Sequence, residues 1–347
     1  MRRLMLVVLM LLIPVMAAAA PDMPYLPETA PCYALLTEDQ QALLDTFHAA
    51  ATAGQTRIDL PQGTRYDDAA AALELLTLDF PELAGLDRQY VIGYYRHAPS
   101  EATYVELRYC ADLPELNAMR RAAMIEAEKI VRGAQGGTDI QREKYLHDAL
   151  CDRVTYDPDA PHPHDAYGAL VEGRATCEGY AQAMTLLCRM AGVPCTTLTG
   201  MAWDGTYMQH HAWNYVCVGD GWYQTDVTFD DQQATVYWYF NLTGSQMGAD
   251  HQWEYLPMLP EGDGRMEYHA LTGQTAASLA QAEEALLRNW HAGSISLRFT
   301  DAAAYEAFIA APGDILQRVN RRADVPHSGG YSLLTGGQQL CVLVRLQ

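Results

Sequence analysis

Lysine is almost missing from this sequence. Only Lys129 and Lys144 appear among 23 basic residues, and the rest are arginines. Positive charge as a whole is short, with 23 Lys plus Arg against 43 Asp plus Glu and a formal net charge of -20. A surface of that sign excludes a broad basic patch for nucleic-acid phosphates or anionic lipid. Charged residues are only 19% of the chain, but hydrophobic residues reach 49%. That supplies a sizeable core and excludes wholesale disorder. Cysteine, at eight in 347 residues, is too sparse for a disulfide scaffold. Past the first 20 residues no apolar run approaches the ~18 residues of a membrane span. No internal repeat is evident, and 347 residues correspond to two or three domains.

What is present begins with an address. Arg2 and Arg3 precede an apolar run from Leu4 to Ala20 that ends in four alanines. A charged start, an apolar middle and small residues at the end make a secretory signal peptide. The alternative, a retained anchor helix, is disfavoured by the shortness of the run. Pro21 is awkward just after a cut, which places cleavage after Ala18 or Ala19. The mature chain is expected to be secreted or extracytoplasmic, with no stable membrane span after cleavage.

Residues 21–36 are proline-rich and read as an extended lead-in. Thr37 to Ala53 reads as a helix capped by Thr37 and stopped by Gly54. A second helix covers Asp67 to Leu76. Tyr90 to Tyr95 and Thr103 to Tyr109 read as a hairpin turning at Pro99-Ser100. Pro114 to Arg132 is the strongest helix of this half, and Asp139 opens another that runs to about Val154. A loop rich in Pro and His follows, and the densest motifs lie between residues 175 and 256. The Gly-rich stretch 260–275 reads as a boundary. Beyond it come a helix, a strand (Ile295 to Thr300), a helix (Ala302 to Ala311) and a hairpin pointed by Thr335-Gly336-Gly337. The expected division is a signal peptide (1–20), a helical and hairpin region (21–113), a central domain (114–260) and a small α/β domain (261–347).

Cys177 opens a helix predicted to run to Met190, with Tyr180, Ala183, Met184, Leu187 and Cys188 on one face and Gly192 as the stop. The positive end of a helix dipole favours a thiolate, and Thr176 is placed as the N-cap. His211 to Val218 reads as a strand, Gly219-Asp220 as a type II′ turn, and Gly221 to Phe229 as the returning strand. In that register Val218 faces Gly221, His211 faces Thr228 and Asp226 faces Trp213. His211 and Asp226 then share one face as diagonal neighbours, and a one-residue slip would separate them. His210, the rival imidazole, falls on the opposite face. An imidazole held by a carboxylate on one nitrogen is the base that a cysteine nucleophile needs.

Several strings resemble the transglutaminase-like superfamily in its bacterial secreted branch. They are Ala166-Tyr167-Gly168-Ala169-Leu170, Cys177-Glu178-Gly179-Tyr180-Ala181, Ala191-Gly192-Val193-Pro194-Cys195, His211-Ala212-Trp213-Asn214 and Trp222 through Asp230. Tyr239-Phe240-Asn241-Leu242-Thr243 and Asp250-His251-Gln252-Trp253 are similar to that branch as well, and a weaker echo lies in Asp79-Phe80-Pro81-Glu82-Leu83. The resemblance covers about residues 140–256. It implies an α+β fold with a papain-like core, in which a nucleophile helix packs on an antiparallel sheet. It also implies roles: Cys177 as nucleophile, His211 as general base and acid, and Asp226 as the group that orients His211. The oxyanion donors it implies are the Cys177 backbone N–H and one upstream side chain, with Tyr167 and His164 as the two candidates. Trp203, Trp213 and Trp222 flank the site and line either an acyl-binding groove or the sheet interior.

The implied activity is attack on a carboxamide through a thioester, with water or an amine as acceptor, on a protein or peptide substrate, cell-surface proteins being one option. No nucleic acid, no metal and no cofactor is implied, and the cluster His162-Pro163-His164-Asp165 reads as loop. The sequence leaves the oligomeric state open. Two other readings stand beside this one: a non-catalytic surface or binding module on the same fold, and a papain-type peptidase. The latter lacks the Gln expected just before the nucleophile, since Arg174, Ala175 and Thr176 stand there. Seven cysteines remain once Cys177 is set aside, allowing up to three disulfides, and Cys177 is expected to be free.

Overall fold

A computed structural model of the chain describes residues 30–232, 234–253 and 257–347. The expected signal peptide lies outside the described residues. Among them, no helix is long and apolar enough to cross a membrane.

The first elements are α1 (Glu38–Thr52), β1 (Arg57–Asp59), α2 (Tyr66–Asp79), β2 (Val91–Tyr95) and β3 (Ala98–Glu106). Thr37 caps α1 through a reciprocal box, its hydroxyl accepting from the Gln40 N–H while the Gln40 side chain accepts from the Thr37 N–H. The strands form a small sheet in the order β1-β3-β2. Its core is built on Leu44, Phe47, Leu73, Leu76 and Val105. The hairpin turns at Arg96-His97 and not at Pro99-Ser100, because Tyr95 pairs with Ala98 after two register shifts. Pro99 sits at the start of a strand, where its missing N–H is tolerated.

The central elements are α3 (Leu113–Gly133), α4 (Asp139–Cys151), β4 (Thr155–Tyr156), β5 (Arg174–Ala175), α5 (Cys177–Met190), β6 (Cys195–Trp203), β7 (Met208–Val218), β8 (Gly221–Thr225), α6 (Val227–Asp230), α7 (Gly244–Met247) and β9 (His251–Trp253). The strands β8-β7-β6-β9 form an antiparallel sheet, and α5 lies across it. Tyr180, Met184, Leu187, Val216 and Tyr223 belong to the shared core. At the back of α5, Arg189 pairs with the buried Asp79 at the end of α2 at 2.8 Å, tying the first region to this helix.

The β7–β8 turn keeps the expected register, with Val218 opposite Gly221 and Asn214 opposite Thr225. The positive φ falls on Gly219, at 61°, as a type II′ turn requires. The ladder then stops four residues early. Asp226 turns its carboxylate onto the Phe229 N–H at 3.1 Å and caps α6, so no strand continues to Phe229. A carboxylate that can hydrogen-bond its own downstream backbone competes with the ladder for that segment. His211 therefore has no partner on β8 such as Thr228, and on the other edge of β7 it pairs with Gly200 of β6.

Gly200 is squeezed between β7 and β9. A Cβ there would meet the Gln252 carbonyl oxygen at 2.1 Å and the Trp253 Cα at 2.7 Å. Backbone cannot give way as a flexible side chain does. Gly200→Ala is expected to cost about 1–3 kcal/mol of stability, read from urea unfolding, and an unchanged midpoint would contradict this packing.

The last elements are α8 (Tyr268–Thr272), β10 (Thr275–Ala276), α9 (Leu279–Asn289), β11 (Ser294–Phe299), α10 (Ala302–Ala310), α11 (Pro312–Arg322), β12 (Tyr331–Gly336) and β13 (Cys341–Leu346). A sheet in the order β10-β11-β13-β12 carries α9, α10 and α11 around Leu286, Ile295, Phe308, Val319 and Val344. The sequence reading has no counterpart to α11, which follows α10 directly and starts on Pro312. Proline at the first helical position loses no hydrogen bond. Val236 and Trp238 pack with Cys341 and Leu343, joining this sheet to the chain that leaves α6.

Candidate active site

Cys177 is the first residue of α5, partly exposed, at the floor of a cleft of about 480 Å³. The loop before the helix approaches it closely. A Cβ at Gly179 would meet the Pro163 carbonyl oxygen at 2.7 Å, which explains a glycine two places after the cysteine. Thr176 occupies the N-cap position with extended backbone, but its hydroxyl makes no capping bond. It donates instead to the Pro163 carbonyl at 3.0 Å and lies 3.0 Å from Nδ1 of His164. Helices begin with N–H groups that have no partner within the helix. Those of α5 therefore stay available at the cleft.

His211 stands across the cleft on β7, 6% exposed, with Nε2 at 2.7 Å from Oδ2 of Asp226. That leaves Nδ1 for the thiol. Burial alone would push the imidazole down, but the Asp226 charge and hydrogen bond, with a hydrogen bond donated to the Cys177 sulfur, raise it to about 10. Burial likewise works against ionised Asp226, and the facing His211 and His251 hold it well below the usual carboxylate range. His211 thus keeps its proton through the neutral range. His210, as expected from alternation, is exposed at the rim of the cleft.

A second imidazole reaches the same carboxylate. His251, first residue of β9, places Nε2 at 3.2 Å from Asp226 Oδ2 and Nδ1 at 2.7 Å from Asp250 Oδ1. Phe229 lies 4.5 Å from the His211 ring and 5.2 Å from the His251 ring, and Trp213 lies 5.0 Å from the latter. The pair is therefore enclosed in aromatic surface, where charged hydrogen bonds are strong. Among the described residues, His211, Asp226 and His251 are the one group whose donor atoms, all within 4.8 Å, could hold a metal ion. Both Nε2 atoms, however, point at one carboxylate oxygen at hydrogen-bond distances.

Other expectations change. Tyr167 does not line the Cys177 cleft; its ring packs against His162 with centroids 5.2 Å apart. His164 does line it. None of Trp203, Trp213 and Trp222 is on the cleft wall. Trp213 is 1% exposed and donates to Gln224 at 2.7 Å, and Trp222 packs on Tyr215 at 5.3 Å, so both serve the sheet interior. All eight cysteines are free thiols, Cys177 among them, in place of up to three disulfides.

The sequence reading missed three cleft or supporting residues. Tyr156 on β4 lines the cleft, and its phenol is pushed up by burial and then by the facing Cys177, which keeps it a donor. Arg88 from the first region also lines it and pairs with Glu178 at 3.2 Å. His251 is the third. Its string was visible, but its place beside Asp226 depends on β9 pairing with β6, with His251 opposite Ala202.

Residues 124–227 match the family model of the transglutaminase-like superfamily. The kyphoscoliosis peptidases of Mus musculus and Homo sapiens are 28% and 29% identical over an alignment of 107 residues, with 26% of this chain and 16% of theirs covered. The aligned part thus spans about a sixth of those relatives. A solved TGase structure aligns at a TM-score of 0.28 and 15% identity, covering 49% of this chain and 48% of its own. The periplasmic domain of TgpA from Pseudomonas aeruginosa aligns at 0.23 and 21%, covering 38% and 55%.

Proposed function

We propose, from the match of residues 124–227 to the family model of the transglutaminase-like superfamily, that this chain is a cysteine enzyme acting on amide bonds of proteins or peptides. One observation carries the reading. His211 bridges the Cys177 thiol and the Asp226 carboxylate, the latter at 2.7 Å, at the floor of an open cleft.

The chemistry follows from those three groups. The Cys177 sulfur, its proton held by Nδ1 of His211, attacks the carboxamide carbon, and the carbonyl oxygen takes the negative charge. The Cys177 backbone N–H and the Tyr156 hydroxyl are the donors assigned to that oxygen, with His164 as the other side-chain candidate. Nδ1 of His211 gives its proton to the leaving nitrogen as the C–N bond breaks, and a thioester remains. His211 then takes a proton from the acceptor. Water yields the acid, and a primary amine yields a new amide. Asp226 keeps the imidazole in one orientation and tautomer throughout. The run from Leu4 to Ala20 supports action outside the cytoplasm.

The test is incubation with a glutamine-containing peptide library, with and without a labelled primary amine, following ammonia and product mass. Ammonia without amine incorporation means deamidation, incorporation means crosslinking, and shortened peptides mean a peptidase. No Cys177-dependent product with any peptide would overturn the reading in favour of a binding module. Within it, Tyr156→Phe is expected to lower kcat about a hundredfold with KM nearly unchanged. A KM effect alone would assign Tyr156 to ground-state binding.

A further inference from the structure

The carboxylate that holds His211 is itself held by groups from outside the Cys-His-Asp set. Asp226 Oδ1 accepts the Phe229 N–H at 3.1 Å, and Oδ2 faces His211 at 2.7 Å and His251 at 3.2 Å. Three contacts on a planar group remove its freedom to rotate. His251 faces a carboxylate on each of its two nitrogens, Asp226 on one and Asp250 on the other. A neutral imidazole has one N–H and one acceptor nitrogen, so it cannot donate to both; the imidazolium can. Burial disfavours that charge, but both carboxylates raise His251 above its ordinary value.

The line continues into the C-terminal sheet. Asp250 Oδ1 accepts from Gln339 Nε2 at 3.0 Å, and Asp250 Oδ2 accepts from the Tyr239 hydroxyl at 2.8 Å. Gln339 precedes β13 by two residues and is 4% exposed. Its side-chain oxygen accepts from Arg298 on β11 at 3.0 Å. The C-terminal sheet therefore contacts the acid that faces His251.

We propose that His251 is a positioning residue for the Cys177–His211–Asp226 group, and that the C-terminal unit holds it in place through the Gln339–Asp250 hydrogen bond. The proposal rests on the acyl-transfer reading. It assigns a role to residues 261–347 that their distance from Cys177 in sequence conceals. Asp226 balances two cations, His211 and His251. Removing the second leaves the carboxylate to His211 alone, which then keeps its proton more firmly. The titratable groups facing His251 are Asp226 before α6, Asp250 before β9, His211 on β7 and Tyr239 in the segment after α6. In His251→Gln, Asp250 loses its partner, Asp226 exchanges a charged N–H for a neutral one, and His211 and Tyr239 keep their own hydrogen bonds.

The experiment uses the mature chain and two variants, His251→Gln and Gln339→Met. Glutamine keeps one N–H for Asp226 and removes the charge. The His211 ring nitrogens are followed by 15N NMR against pH, and iodoacetamide labelling of each cysteine is followed by peptide mass spectrometry. In the unsubstituted chain His211 is expected to lose its proton near pH 10. In His251→Gln that midpoint is expected to rise by roughly one pH unit; Cys177 labelling at neutral pH is expected to slow about tenfold for a separate reason, because Asp226, and His211 with it, is no longer held in place. Gln339→Met is expected to slow Cys177 labelling about threefold.

Exposed Cys110 serves as the reference thiol, and buried Cys188 and Cys195 report unfolding if they begin to label. A merely structural role would let His211 fall toward its ordinary value and expose those two. An unchanged His211 midpoint and unchanged Cys177 rate in folded His251→Gln overturn the proposal. If His251→Gln does not fold, unchanged Cys177 labelling in Gln339→Met overturns it instead. Failure of the acyl-transfer reading looks different: Cys177 of the unsubstituted chain labels no faster than Cys110, and His211→Ala does not change it.

Discussion

Asp226→Asn is expected to lower turnover about 10⁴-fold in a protein that still folds. The carboxylate has three hydrogen-bond partners, and all of them donate to it. An amide offers one acceptor oxygen and one donor nitrogen. Whichever way the substituted amide is oriented, its NH₂ meets an N–H of Phe229, His211 or His251. The unpaired donor costs about 1–3 kcal/mol, and an imidazole that flips to recover a bond presents the wrong tautomer to Cys177. Loss of the charge adds a second effect, because burial then draws His211 toward neutrality.

The pH dependence has a definite sign. His211 is raised in the folded state, to about 10, so its contribution to stability is complete below its unfolded value near 6.5 and is lost as pH rises through about 10. Asp226 is lowered, so its contribution is present above its unfolded value near 3.9 and disappears only in strong acid. The stability gap between the unsubstituted chain and Asp226→Asn, from urea unfolding, should therefore be widest near pH 6 and close toward pH 10. A gap that widens with pH over this range would contradict the His211–Asp226 assignment.

Arg298→Met is expected to cost ~3–5 kcal/mol of stability, the largest effect away from the cleft. Arg298 is 5% exposed on β11. Its guanidinium donates to Glu267 at 3.1 Å, to the Gln339 carbonyl at 3.1 Å and side chain at 3.0 Å, and to the Trp238 carbonyl. Methionine fills the space of the stem and satisfies none of these acceptors. Glu267, 1% exposed, would be left with His269 at 2.6 Å as its facing base, and burial lowers His269 so that it does not supply a full charge. The double variant Arg298→Met/Glu267→Gln should recover part of the loss, since the stranded charge is gone. Additive costs in the double variant would mean that the pair does not interact.

Much of the central unit was legible because its signals are local. The two-residue turn at Gly219-Asp220 set the β7–β8 register as far as Asn214 opposite Thr225, and Asp226, the next residue, reaches His211 from just past the end of that ladder. The apolar face of α5 and its start at Cys177 followed from three- and four-residue spacing. The cap at Asp226 was not legible, because an aspartate ending a strand-like run reads equally as strand or as cap until tertiary contacts choose. The Trp213 and Trp222 side chains were ambiguous for a related reason: alternation gives a face, not what covers it. Here Leu242 and Met247 cover them. His251, Asp250 and Gln339 come together only through β6–β9 pairing and a contact across 89 residues, which no local pattern encodes.

The most direct measurement of the central claim is the mass of the enzyme itself, caught during turnover. The chain is mixed with glutamine-containing peptides, quenched in acid within seconds and digested, and each of the eight cysteine peptides is weighed. An acyl adduct is expected on the Cys177 peptide, sensitive to hydroxylamine as a thioester is, absent from Cys177→Ala and scarce in His211→Ala. An adduct on another cysteine, or amide turnover that persists in Cys177→Ala, would contradict it.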